Sequence, residues 1–359
     1  MKKKLYLVIC TTCILITGCT AESMNEHQEE IEINMGALED REYDTHLTTY
    51  DIELMDTSIL PISDFFFKGL EGTLVSDENN IDVYKQNENQ LVLSLGGIRY
   101  VSKESKKYEF LMERLQYDGY AINGKEYPLY SEIFSMNDLE FESKESCTMN
   151  ILDYFKKNLN MELKLKEAYS VEGHVFESTQ NKMLDEIEED LPYDVTEGYE
   201  MQENYDSKDD FYVFYFDVVQ EEIPLNRYGY STSIAESART YTGAYVEAWY
   251  SKEGLIFLDT GMLYDILQQS KEEIILTKEE AISIVEKHES NIISSDKSTI
   301  LDIQLEYVPI GISKNYYELS LIPAWNILVE TGNNETQSKD GNYRLRSILI
   351  NALTSEILN

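Results

Sequence analysis

Through much of the chain apolar and polar residues alternate with a period of two, and in a few windows the apolar positions recur every three or four residues instead. The first pattern turns one side of an extended strand to a core, and the second lays an apolar stripe along a helix. IDVYK (81–85) and LVLSL (91–95) alternate and are joined by Gln86-Asn-Glu-Asn-Gln90, which predicts a hairpin. A helix is predicted over about 104–116, with Tyr108, Leu111 and Leu115 on one side, and another over 148–159, striped by Ile151, Leu152, Phe155 and Leu159. Asn123-Gly124 reads as a turn between two further strands, 161–166 as a half-buried strand and 179–190 as helical again. FYVFYFDVV (211–219) is apolar on both faces, as a central strand covered from both sides would be. YTGAYVEAWY (241–250) and LIFLD (255–259) flank Ser-Lys-Glu-Gly, a hairpin connection in which Gly254 supplies the positive φ. A short helix is predicted for Met262 to Gln269.

From about residue 273 the pattern is plainest. Thr277-Lys-Glu-Glu280 is a capping box, in which the threonine hydroxyl serves the N–H of Glu280 and the Glu280 carboxylate reaches back. Ala281, Ile282 and Val285 then face a core. LDIQLEYVPI (301–310), YYELSLIPAW (316–325), WNILVET (325–331) and YRLRSILINA (343–352) read as strands, with a polar loop at 332–342. One helix and three or four antiparallel strands can bury the helix's stripe on one sheet face. The fold class expected for the whole chain is α+β, with antiparallel sheets each packed by one or two helices. The expected divisions are 1–18, 19–57, 58–272 (one domain, or two divided near 146) and 273–359.

The order LTKEEAI, YYELSLIPAWNILVE and ILINALTSEIL resembles the PepSY-type domain, and more closely its variant in YycI-like regulatory proteins of Gram-positive bacteria. Ser355 stands where that family usually has glycine. YFDVVQEEIPL with AYVEAWYSKEGLIFLD is more weakly similar to the preceding half of such proteins. The resemblance implies a non-enzymatic regulatory or binding role outside the membrane, in protease restraint or signalling.

The chain begins with Lys2, Lys3 and Lys4 and an apolar run, Leu5 to Ile16, too short for a comfortable membrane span of about 20 residues. Ile16-Thr17-Gly18-Cys19 then resembles the lipobox of bacterial lipoproteins. That resemblance implies cleavage after Gly18 and lipidation of Cys19, the acyl chains holding the protein at the outer face of the cell membrane. An uncleaved anchor, or a secretory signal with an incidental Cys19, is the competing reading. The layout is similar to that of uncharacterised lipoproteins of gut Gram-positive bacteria. Residues 19–57 are acidic and polar and are expected to form a tether, with enough Ile and Met for part of it to dock as a strand or short helix.

A formal charge of −37 disfavours nucleic acid, since phosphate contacts need clustered Lys and Arg. It also leaves membrane attachment to the acyl chains, because anionic headgroups repel such a surface. Cationic partners are compatible with it, although a charge excess is most often a solvated surface. Of four cysteines only Cys147 would remain apart from lipidated Cys19, and its neighbours supply no base or cation, so it reads as structural. The four histidines, His27, His46, His174 and His288, show no metal-ligand spacing. No phosphate loop or nucleophile elbow occurs. Ser294-Ser-Asp-Lys297 matches SxxK without its companions, and carboxylate pairs are too common in so acidic a chain to mark a dyad.

Composition does single out tyrosine, with 27 against 12 Phe and 2 Trp. On an extended strand Tyr241, Tyr245 and Trp249 would share a face with Gly243 between them, an aromatic shelf which, with Trp325, is the candidate ligand surface. The competing reading is a sheet face covered by a helix. No cofactor, metal or catalytic set is expected. The function expected is that of a lipid-anchored, extracytoplasmic, non-catalytic protein that binds or regulates an envelope protein. The alternative is a carbohydrate- or peptide-binding lipoprotein for uptake or adhesion.

Overall fold

The computed structural model describes residues 32–33, 44–61, 65–78, 81–117, 131–188, 198–231, 240–290, 298–311, 318–331 and 344–359. Cys19 and the leader, most of the tether, the Asn123-Gly124 turn and the 332–342 loop lie outside these residues. Strands come first: β1 (Glu32–Ile33), β2 (His46–Leu54), β3 (Thr73–Glu78), β4 (Ile81–Gln86), β5 (Asn89–Ser94) and β6 (Gly97–Val101). Helices α1 (Lys106–Tyr117) and α2 (Lys144–Leu159), strand β7 (Glu162–Val171) and helix α3 (Gly173–Glu188) follow. Then come β8 (Phe211–Gln220), β9 (Ile223–Pro224), β10 (Tyr230–Ser231), β11 (Thr240–Tyr241), β12 (Tyr245–Ser251), β13 (Gly254–Thr260) and β14 (Tyr264–Ile274). Helix α4 (Lys278–Ser290) precedes β15 (Ser298–Gly311), β16 (Leu319–Thr331) and β17 (Arg344–Asn351). The protein is therefore α+β, with mainly antiparallel sheets. Among the described residues no helix is long and apolar enough to cross a membrane.

The chain divides into two compact units. The larger holds 43–275, 305–325 and 349–359, and the smaller holds 1–42, 276–304 and 326–348. Strands β15, β16 and β17 thus each contribute one part to each unit, and the division does not follow a single cut near 272.

The larger unit is built on a nine-stranded sheet in the order β3-β4-β5-β6-β13-β12-β8-β7, with β9 added to β8. As its pattern predicts, β8 is buried on both faces. Tyr212, Phe214, Phe216 and Val218 point to one side, into a core with Cys147, Ile151 and Phe155 of α2. Phe211, Val213 and Tyr215 point to the other, into a core with Tyr108, Phe110 and Leu111 of α1 and Phe176 of α3. Fully burying each of these aromatic side chains contributes about 2–3 kcal/mol. Gly254 turns the β12–β13 hairpin at φ 90°. Helix α2 opens on Ser143, whose side chain accepts from the Ser146 N–H at 3.2 Å.

Two expectations are corrected here. Residues 264–274 form β14, not a helix, pairing antiparallel with β2 from Tyr264 opposite Leu54 to Ile274 opposite His46. MLYDILQQ carries apolar residues at a spacing that suits a helix, but two β-bulges let it follow β2, and tertiary pairing overrides local preference. The other correction is the extent of the tether, part of which docks as a strand. Residues 46–54, expected within 19–57, form β2 because Leu47, Tyr50 and Ile52 are buried while Glu53 stays exposed. On its other edge β2 takes Leu319–Leu321 of β16.

In the smaller unit the capping box of α4 is complete. The Glu280 N–H donates to Thr277 Oγ1 at 3.2 Å, and the Thr277 N–H donates to Glu280 Oε2 at 2.8 Å. Ala281 and Val285 are buried as predicted, while Ile282 is half-buried. Glu289 near the helix end is also buried, held by Arg346 and by Ser298 Oγ at 3.0 Å. At the end of the chain, in the larger unit, Ser355 takes φ 65°, the left-handed conformation that glycine adopts without steric cost.

Candidate functional site

The aromatic residues singled out by sequence are largely committed to the interior of the larger unit. Trp249 is 2% exposed, stacks on Phe257 at 4.3 Å and donates its Nε1–H to Glu247 Oε1 at 2.7 Å. Trp325 is 1% exposed. Tyr241 stacks on Tyr230 at 4.9 Å, and its hydroxyl accepts from the Gly311 N–H at 2.8 Å. Tyr245 and Trp249 do share a face of β12, but Glu247 stands between them. Gly243 lies against backbone: a Cβ there would lie 1.7 Å from the Arg227 carbonyl oxygen. Trp249 is sealed, while Tyr241 and Tyr245 are half-buried.

The close approach at Gly243 is part of a crossing of three segments. Gly229 has φ 71°, a Cβ on Gly261 would lie 1.9 Å from the Gly243 carbonyl oxygen, and Ala244 N–H donates to Asn226 O at 2.8 Å. This crossing lays Arg227 across the sheet. Its guanidinium sits 5.2 Å from the Tyr215 ring and 5.3 Å from the Tyr245 ring, donates to Phe216 O at 3.2 Å and lies 3.6 Å from Asp217 Oδ1.

Beneath Arg227 runs a polar strip that no local motif announces. Cross-strand registers align Arg99 (β6), Asp259 (β13), Glu247 (β12), Tyr215 (β8) and Glu167 (β7) in one row across five adjacent strands. Residues directly opposite on paired strands share a face. The row therefore lies on the same side as the apolar row Val101, Phe257, Trp249, Val213 and Tyr169. On its other flank lie Tyr245, Asp217 and exposed Lys164. Sequence reasoning missed the row because its members are far apart along the chain. The signal available was the polar residue recurring inside strands that otherwise read as core, as Glu247 does in YVEAWY.

The strip's carboxylates receive neutral donors as well as cations. Tyr245 Oη donates to Asp259 Oδ2 at 2.8 Å, and Tyr169 Oη donates to Glu167 Oε2 at 2.8 Å. Arg99, half exposed at the rim, lies 3.9 Å from Asp259 Oδ1. Burial holds the Asp259 carboxyl above its usual range, against the Tyr245 hydrogen bond and the Arg99 charge. Burial raises the Tyr215 hydroxyl further, and the Glu247 carboxylate adds to it. Tyr215 is 2% exposed, and its Oη makes no hydrogen bond. Elsewhere Cys147 is buried and its thiol is pushed up to about 12, chiefly by burial, which leaves it an inert core residue. Among the described residues no three His, Cys, Asp or Glu side chains gather as a metal site.

No family model matches the chain, and no curated protein matches it. The crystal structure of an uncharacterised protein from Eubacterium rectale is similar in fold, with a TM-score of 0.57 at 13% identity, over 92% of this chain and 89% of that one. At that identity the likeness concerns the fold alone.

Proposed function

We propose that this chain is a lipid-anchored, non-catalytic protein of the cell envelope that acts by binding another protein. The observation that carries the choice between partner and small ligand is the placement of the aromatic candidates. Trp249 and Trp325 are sealed in cores, and the Trp249 indole N–H is spent on Glu247, so the surface on which a sugar ring would stack is absent from that face. The lipobox-like Ile16-Thr17-Gly18-Cys19 supports the anchor, and the PepSY/YycI-like order of the C-terminal motifs supports a regulatory role. Residues 20–31, before β1, would supply reach between anchor and fold.

Two measurements test this. Labelled palmitate should be incorporated into the wild-type chain, and Cys19→Ala should abolish incorporation and release the protein from membranes. Retention of Cys19→Ala on membranes to the same extent would remove the anchor. Crosslinking in native cells should recover the same protein reproducibly. Turnover of a substrate with no reproducible partner would remove the binding role.

A further inference from the structure

We propose that the outer edge of β14 accepts a further strand from the partner protein, an extended segment in which basic side chains are interleaved with apolar ones. This deepens the reading above and rests on it.

The strand is open in three directions. It pairs with β2 along one side and, among the described residues, with no strand along the other, so a row of its backbone N–H and C=O groups faces outward. Every residue from Ile266 to Glu272 is exposed. Consecutive side chains of a strand point to opposite faces, so both faces are open as well as the edge. Ile266, Leu267 and Ile274 are large apolar side chains among these, Ile274 being 71% exposed. The bulges at Leu267 and Ser270 bend the edge, but beyond them Lys271, Glu272, Glu273 and Ile274 stand opposite Thr49, Thr48, Leu47 and His46 without interruption. That regular run is where an arriving strand joins. Strand β7, at one end of the nine-stranded sheet, is different. Exposed Lys164 and Lys166 guard it, and a bridge from Ser135 to Ser170 closes its far end. The lysine of β14 is held by Glu273 of its own strand, at 2.7 Å.

Charge decides between occupants. Asp265, Glu272 and Glu273 of β14 and Asp51 and Glu53 of β2 stand against Lys271 and His46. A second copy of the chain would bring the same excess of carboxylates to the edge, whereas a basic segment meets attraction. The backbone ladder supplies affinity whatever the sequence, and the side chains supply the choice. An apolar residue fits beside Ile274, and a basic one beside Glu272, two positions away on the same face.

The test uses the full-length protein in detergent and the fluorescence anisotropy of a labelled heptapeptide of alternating valine and lysine. The peptide should bind, and hydrogen exchange of the amides in 264–274 should slow. Neither the same peptide N-methylated at every residue, which cannot donate to an edge, nor a valine–glutamate peptide should bind. Glu272→Lys should weaken binding about fivefold and Ile274→Thr about threefold, as expected for one cross-strand pair each. Glu140→Lys and Met136→Thr, at exposed positions away from β14, should leave it unchanged. Both β14 variants should keep a cooperative thermal transition, since both side chains are exposed. Equal weakening by Glu272→Lys and Glu140→Lys would reduce the effect to general acidity and overturn the proposal. So would undiminished binding of the N-methylated peptide, protection of amides elsewhere only, or no binding. A dimer in sedimentation that protects the amides of 264–274 would give the edge to a second copy, and overturns it too. Crosslinking separates the two levels. A partner captured equally by wild type and by both β14 variants overturns the edge and leaves the partner reading standing. Failure of wild type to capture any protein removes the partner reading, and the peptide titration then decides the edge by itself.

Discussion

Gly243 marks a place where backbone meets backbone, and nothing in its sequence neighbourhood says so. A methyl group there would lie 1.7 Å from the carbonyl oxygen of Arg227, whose own position depends on the crossing. Gly243→Ala should therefore destabilise the protein by about 2–3 kcal/mol in urea unfolding. Asp259 gives a pH signature. Burial raises its folded-state pKa above the unfolded value, so it favours the folded state below the unfolded pKa and loses that contribution as pH rises through the folded pKa. Asp259→Asn should accordingly gain relative to wild type as unfolding is measured from pH 4 toward pH 7. A constant difference across that range would contradict the assignment. Residues such as these are poorly legible in a sequence because their roles are set by neighbours tens or hundreds of positions away. Glu247 meets Tyr215 and Asp259 only once three strands are in register.

Elements carry most of what the pattern could say. The hairpin at 81–94, helix α2, the doubly buried β8 and the Gly254 turn all follow from residues within one element or its immediate connection. The capping box of α4 is the plainest case, because both of its hydrogen bonds join residues three apart. Thr277→Ala should cost about 1 kcal/mol of stability, and Thr277→Ser should restore most of it. Strand β14 shows where this legibility stops. Its apolar residues Ile266, Leu267 and Ile274 are exposed, so burial did not select its conformation. Its ladder with β2 did, and β2 lies more than 200 residues earlier, inside a stretch whose acidity concealed the alternation of Thr48, Tyr50 and Ile52. The candidate shelf failed for a related reason. The period-two spacing of Tyr245 and Trp249 was correctly read, but a period says which residues share a face and not whether that face is covered.

At the scale of the whole chain, the interleaving of segments changes what a truncation can achieve. A fragment of 58–272 lacks β2, the start of β16 and the end of β17, all of which belong to the larger unit. Expressed alone, it should show the narrow amide dispersion, broadened signals and dye binding of a loosely packed state, not a cooperative unfolding transition. A cooperative fragment would contradict the division. The same interleaving bears on the order in which the protein can be made. Leu349 and Leu358 pack with Tyr230, Val308, Ile322 and Ala324 in one buried cluster of the larger unit. That cluster cannot close until residues 349–358 have left the ribosome, so the larger unit has to wait, incomplete, for this last of its segments.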